Sequence, residues 1–127
     1  DLMGLNGDFD DAVAIGGWGL DEHPPGGFDS PELRPFVSGK LAEVYNIPLR
    51  SLYSKDVPNL MMAGRNASCS HVAFTSTRVM ATCAVMGQGL GTAAALCLKK
   101  GVKPREFVAS KGNLNELTQT LLRDDQT

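Results

Sequence analysis

The sequence contains little of what marks several common protein classes. Its three cysteines are an odd number and form no C-x-x-C pattern, so neither a disulfide framework nor a structural zinc site is indicated. The 12 Lys and Arg residues do not outnumber the 14 Asp and Glu residues, whereas nucleic-acid-binding domains are usually basic. No stretch reaches the roughly 20 consecutive apolar residues of a membrane-spanning helix. We therefore expect no metal, no nucleic acid and no membrane partner, and a soluble protein for which the cytoplasm is the favoured compartment.

What the chain does contain is the composition of an ordinary globular protein. Hydrophobic residues make up 43% of it and charged residues 20%. A length of 127 residues suffices for one domain with its own hydrophobic core. We expect the cysteines to be small core residues, with a redox role as the alternative.

Extended structure is predicted for the first half of the chain. Residues 12–20 form an apolar segment bounded by glycines, which indicates a short strand between turns. Residues 41–54 are rich in apolar side chains and are interrupted by Pro48, which indicates extended structure with either an edge position or a bend at the proline. A further short strand is predicted at residues 60–63.

Two helices are predicted in the second half. Residues 82–100 contain no proline, end in two lysines and are followed by Gly101, a typical helix stop. A final helix is predicted with Asn113 as its N-cap and Glu116 three residues later. Its apolar stripe consists of Leu114, Leu117, Leu121 and Leu122.

The long helix is unusual in keeping three glycines close together, each at a cost of about 0.5–1 kcal/mol relative to alanine. Gly87 and Gly91 share one helical face, which predicts the close approach of another backbone or of a flat ligand. Tight packing on a sheet and a ligand at the helix amino terminus both remain open. Residues 65–78, rich in Arg, Asn, Ser and His, read as a polar loop and favour the ligand. A dinucleotide motif at residues 89–94, G-L-G-T-A-A, is a weaker alternative because too little chain follows it.

Several motifs occur in a fixed order through this region. They are I-P-L-R at residues 47–50, N-L-M-M-A-G-R at 59–65, S-H at 70–71, R-V-M-A-T-C at 78–83 and M-G-Q-G-L-G-T-A-A-A at 86–95. This order resembles the carboxy-terminal signature of a family of FAD-dependent oxidoreductases. The resemblance covers residues 45–101 and extends less clearly to D-A-V-A-I-G-G-W-G-L-D-E-H at 11–23.

The resemblance implies an α/β fold, the carboxy-terminal part of a glutathione-reductase-like FAD-binding fold. Short strands would be followed by the long glycine- and alanine-rich helix and the final amphipathic helix. Residues 1–58 would end the substrate-side β region, and residues 59–127 would belong to the FAD-binding domain, with the 60–63 strand in its sheet. Because residues 1–58 lack an ADP-binding fingerprint, we expect a fragment that is inactive alone. It would depend on a missing amino-terminal half or another chain, with a homo-oligomer as a further expectation.

The resemblance also implies roles for individual residues in hydride transfer from a small organic substrate to FAD. His71 and His23 are the candidate bases, since histidine titrates near neutral pH, and Arg50 is the candidate substrate anchor. Arg50 is equally compatible with a surface role, and the other arginines with structural ion pairs. The alternative function is a non-catalytic interaction module that uses the glycine-rich helix face. The expected cofactor-binding residues are Gly64, Arg65, Ser70, Arg78, Thr82, Met86, Gly87 and Gln88.

Overall fold

A computed structural model describes residues 9–126; the first eight residues of the predicted 1–58 region, and Thr127, lie outside it. Short strands come first and helices follow, as predicted for an α/β chain. The strands are β1 (Ala12–Gly16), β2 (Leu20–Glu22), β3 (Val37–Gly39) and β4 (Tyr45–Pro48). The α-helices are α1 (His71–Thr77), α2 (Met80–Lys100), α3 (Pro104–Val108) and α4 (Lys111–Arg123). Short 3-10 helices lie at Gly27–Asp29, Leu49–Ser51 and Gly64–Asn66.

The strands form two small antiparallel sheets. In one, β1 pairs with β4, so that Ala14 lies opposite Ile47. In the other, β2 pairs with β3, so that Asp21 lies opposite Ser38. The predicted 12–20 strand is therefore two strands, separated at residues 17–19, where two of the three residues are glycine. The predicted bend at Pro48 is confirmed, because β4 ends there and a 3-10 turn follows.

The predicted strand at residues 60–63 is wrong. Only an isolated bridge between Tyr53 and Met61 forms there, although the Met62 backbone N–H donates to the Leu52 carbonyl at 2.8 Å. The segment then turns into a 3-10 helix at Gly64, whose φ of +72° favours glycine. Pairing that stops after one bridge is too short to make a strand.

The polar segment before the long helix is another correction, because residues 71–77 form helix α1 instead of a loop. Ser70 is its N-cap, and the Ser70 side chain accepts a hydrogen bond from the Ala73 backbone N–H at 3.3 Å. The helix buries small and hydroxyl-bearing residues, which hydrophobic periodicity does not detect. These buried residues are Ala73, Thr75, Ser76 and Thr77.

The long helix is confirmed, and it begins two residues earlier than predicted because Val79 is already the extended N-cap residue. It ends as predicted at Gly101, which has a φ of +66°. In α4 the predicted N-cap is wrong: Ser110 holds that position, and the Ser110 Oγ accepts from the Asn113 N–H at 3.4 Å. The predicted leucine stripe is buried except for Leu122, which is half exposed.

One hydrophobic core joins β1 and β4 to α2, α3 and α4. Residues from both sides of the predicted 58/59 boundary contribute to it, and the division into two regions stays a prediction. The close approach of backbones occurs at Gly89, where an added Cβ would lie 2.5 Å from the Val13 carbonyl oxygen. At Gly87 and Gly91 an added Cβ meets no described atom within 4 Å. Within the described residues no other backbone approaches these two glycines, and the alternative of a flat ligand at their face stays a prediction.

Among the described residues, α2 is the one helix long and apolar enough to cross a membrane, judged by length and composition alone. Of its most apolar window, 33% is buried. Core helices commonly meet the same criterion, and α2 contributes Met86, Ala93 and Leu96 to the core. The expected absence of a membrane partner stays a prediction.

Candidate functional site

The side chains that the sequence singled out converge most clearly where β2 meets α1. Arg78 caps the carboxyl end of α1. Its Nη2 donates to the Asp21 backbone carbonyl at 2.8 Å and to Asp21 Oδ2 at 3.2 Å. Because Arg78 lies two residues before the first residue of α2, this ion pair ties β2 to the start of the long helix. The ion-pair alternative for Arg78 is thus the one that the described contacts show.

Both histidines lie beside β2, each near a different carboxylate. The His23 Nδ1 lies 3.0 Å from the Pro35 carbonyl oxygen, which can only accept, so Nδ1 must donate. The His23 Nε2 is 3.6 Å from Asp21 Oδ1. The His71 Nε2 is 3.8 Å from Glu22 Oε1, and the His71 side chain is 72% exposed. The structure therefore gives His23 two fixed neighbours and leaves His71 largely in solvent.

His23 also lines a cavity of about 570 Å³, within the range of small-molecule sites. We call this space the β2–β3 cavity. Its wall includes Trp18, Asp21, His23, Phe36, Ser38 and Lys40. Apart from His23, these residues were not among the predicted site residues. The only sequence signals for them were the sole tryptophan and the aspartate two residues before His23.

A buried chain of hydrogen bonds fixes the Trp18 edge of this cavity. The Ser76 hydroxyl on α1 donates to the Trp18 backbone carbonyl, so the Tyr45 hydroxyl must be the donor to Ser76 Oγ, at 2.6 Å. Burial raises the pKa of Tyr45. The cavity wall is thereby anchored to β4 and α1.

The start of α2 carries the predicted cofactor-binding segment. Val79 provides no side-chain cap, so the N–H groups of the first turn of α2 lack an N-cap hydrogen bond from that residue. Met80 at that end is 90% exposed. Gly64 packs nearby, since an added Cβ would lie 3.7 Å from the Cys83 Cβ. These features fit an electron-rich group at the helix amino terminus.

The remaining predicted cofactor residues are more dispersed. Arg65 lies over the Phe74 ring, with 5.5 Å between its guanidinium carbon and the ring centroid, and Gln88 donates to the Asp124 carbonyl at 3.3 Å. Thr82 and Met86 are buried, so the Met86 side chain faces the core. Ser70 is engaged as the N-cap of α1, and Gly87 is exposed.

Arg50, the predicted substrate anchor, forms an ion pair with a carboxylate that the sequence did not reveal. Its Nη2 and Nε lie 2.5 Å and 2.9 Å from Asp11 Oδ1, and its backbone N–H donates to Asp11 Oδ2 at 2.9 Å. The hydrogen bond to Asp11 raises the pKa of Arg50 above its usual value. The Asp11 side chain is fully buried, whereas that of Arg50 is half exposed.

The described residues contain no group of three or more His, Cys, Asp or Glu side chains arranged to hold a metal ion. The three cysteines are free. Cys97 is buried, and burial raises the pKa of its thiol. Cys69 and Cys83 are partly exposed, so the expectation of three core cysteines is met fully only by Cys97.

A family model described as FAD dependent oxidoreductase matches residues 1–121. The chain belongs to this family. FAD is therefore its cofactor, and the chain is a flavoprotein oxidoreductase sequence, as the resemblance implied. Neither a curated protein nor a solved structure matches the chain.

Proposed function

We propose that this chain is the carboxy-terminal part of a flavoenzyme that transfers a hydride from a small organic substrate to FAD. Residues 59–127 would complete a glutathione-reductase-like FAD-binding domain, and residues 1–58 would end its substrate side. The single observation that carries the proposal is the uncovered face of α2, which starts at an uncapped helix terminus just after Arg78.

This uncovered face is a continuous stripe at helical spacing. It consists of Met80, Ala84, Gly87, Gly91, Ala95 and Leu98, all exposed. Met80 and Leu98, at its ends, are 90% and 85% exposed. Burial of large apolar side chains away from water lowers the free energy of the protein, and the small residues between them permit close contact. These features support a covering polypeptide: the missing amino-terminal half, another chain or a second copy.

The fit to FAD rests on the amino end of the same stripe. The first-turn N–H groups of α2 and the positive end of the helix dipole favour negative charge. Gly87 and Gly91 leave open space beside the helix for a flat ring. When bound, FAD supplies the hydride acceptor, and the helix terminus would stabilise the reduced form.

The chain's own part in the reaction would be to take a proton. Since the His23 Nδ1–H donates to Pro35, Nε2 of the neutral ring carries the free lone pair and can accept a hydroxyl proton. Oxidation of an alcohol then removes the hydride from carbon and this proton from oxygen, which leaves a carbonyl product. His71 stays the second candidate base, and its Nε2 lies 3.8 Å from Glu22 Oε1.

Rapid-mixing measurement of flavin reduction in the assembled flavoenzyme tests these roles. We expect His23→Gln to slow reduction by roughly 10²–10⁴-fold with the flavin still bound, as is typical of a lost general base. His71→Gln is the matched variant, and an equal loss there alone would move the role to His71. Wild-type rates in both variants would contradict proton transfer to either histidine.

The exposed glycine face also supports a second candidate, a non-catalytic module that binds a partner protein through α2. Flavin colour separates the two functions. An assembled protein that carries the yellow flavin spectrum supports the enzyme, and a colourless one that pairs through α2 supports the module. In either case we propose a protein that works in the cytoplasm without binding nucleic acid.

A further inference from the structure

The polar groups of the β2–β3 cavity leave hydrogen-bond acceptors without donors. Arg78 occupies Asp21 Oδ2, whereas Asp21 Oδ1 receives no hydrogen bond from the described residues. Its neighbour, the His23 Nε2, is 3.6 Å away, too far for a direct hydrogen bond. With the ring neutral, Nε2 is also an acceptor, because Nδ1 carries the proton. Both side chains are partly exposed to water, and a ligand that displaces this water must supply donors to the two acceptors.

The same cavity offers donors and flat apolar surfaces. Lys40 supplies an ammonium group, and Ser38 a hydroxyl that donates or accepts. Trp18 and Phe36 are 58% and 52% exposed although both are large and apolar. An aromatic face attracts a ligand that presents a flat array of C–H groups.

This combination selects against simpler ligands. A plain anion would meet the Asp21 carboxylate, and a plain amine would meet Lys40 and the nearby Arg78. A purely aromatic compound would leave the Asp21 and His23 acceptors without donors, which is costly once water is excluded. A ligand with hydroxyl groups supplies donors and acceptors together.

We propose that the β2–β3 cavity binds a six-membered ring that carries several hydroxyl groups, such as a sugar ring or a cyclic polyol. The ring would stack on Trp18 and Phe36 and donate hydroxyl protons to Asp21 and His23. The idea that this ring is also the alcohol that the enzyme oxidises rests on the proposed function. The binding site itself does not depend on that function.

Trp18 is the sole tryptophan, so its fluorescence reports directly on the cavity. The flavin-free 127-residue chain is titrated with glucose, galactose, glucuronate and myo-inositol, and separately with benzoate. We expect a saturable change with at least one hydroxylated ring and a weaker one with benzoate. A response to benzoate alone, or none to any hydroxylated ring, would overturn the proposal. The separate arms distinguish neutral sugars, acidic sugars and cyclitols.

Substitutions in the cavity wall test whether the hydroxylated ring binds in the β2–β3 cavity. Phe36→Ala should weaken it roughly 3- to 10-fold through the lost ring face, and Asp21→Asn by at least about 10-fold. Phe28→Ala is the matched control, since Phe28 is fully exposed and outside the cavity lining. Circular dichroism confirms that each variant folds, and unchanged affinity in folded Phe36→Ala and Asp21→Asn would overturn the site. Ring binding without flavin reduction by that ring would refute only its role as substrate.

Discussion

Gly89 of α2 lies directly against the backbone carbonyl of Val13 in β1. An added Cβ at Gly89 would be 2.5 Å from that oxygen and 3.1 Å from the Val13 Cβ. Both distances are shorter than ordinary van der Waals contact. The glycine therefore sets how closely the long helix packs on the β1–β4 sheet.

Gly89→Ala should lower the free energy of unfolding by about 1–3 kcal/mol, because the helix must move away from β1. Gly87→Ala and Gly91→Ala are the matched controls, since both positions face open space. Each control should instead stabilise the helix by about 0.5–1 kcal/mol. Urea unfolding measures all three. A destabilised Gly87→Ala together with a neutral Gly89→Ala would show that the packing contact has been misplaced.

The Asp11–Arg50 ion pair should contribute to stability as well as to any role of Arg50 with substrate. Arg50→Met leaves the fully buried Asp11 carboxylate without its guanidinium partner, and we expect a loss of about 1–3 kcal/mol. Arg105→Met is the control, because Arg105 is exposed and its side chain donates to the Lys55 carbonyl. That control should change stability by less than about 0.5 kcal/mol. Equal unfolding curves for wild type and Arg50→Met would show that the ion pair does not stabilise the fold. Substrate binding would then be the one role left for Arg50.

Ser76→Ala should destabilise the protein by about 2–3 kcal/mol, because it leaves the buried Tyr45 hydroxyl without its partner and the Trp18 carbonyl without its donor. A double-mutant cycle with Tyr45→Phe isolates the coupling between the two hydroxyls. Strictly additive losses would argue against the hydrogen bond.

Tyr45 also predicts a pH dependence. Because its pKa is raised in the folded state, its contribution to stability is complete below the unfolded value of about 10. The contribution is lost as pH rises above that value, since the unfolded state ionises first. The free energy of unfolding, measured below and above about pH 10, should fall with pH in the wild type and should fall less in Tyr45→Phe.

Local sequence signals were sufficient for the elements that local physics controls. Gly101 and the preceding lysines defined the end of α2, because a left-handed residue and cations suit a helix carboxyl terminus. The leucine spacing identified the buried face of α4, and Pro48 identified the end of β4. The ordered motifs of residues 47–95 identified the family, which the family model then showed.

Contacts between distant segments decided the rest. Nothing in the spacing of three glycines reveals which of them meets β1, because that depends on how the helix is rotated against the sheet. Asp21 and Arg78 are 57 positions apart, and Asp11 and Arg50 are 39 apart. Such pairs form only when the chain folds back on itself, so periodicity and propensity carry no signal for them. The sequence by itself determined the family, the long helix and the histidines worth testing; tertiary packing alone decided that His23 shares a cavity with Trp18 and Asp21.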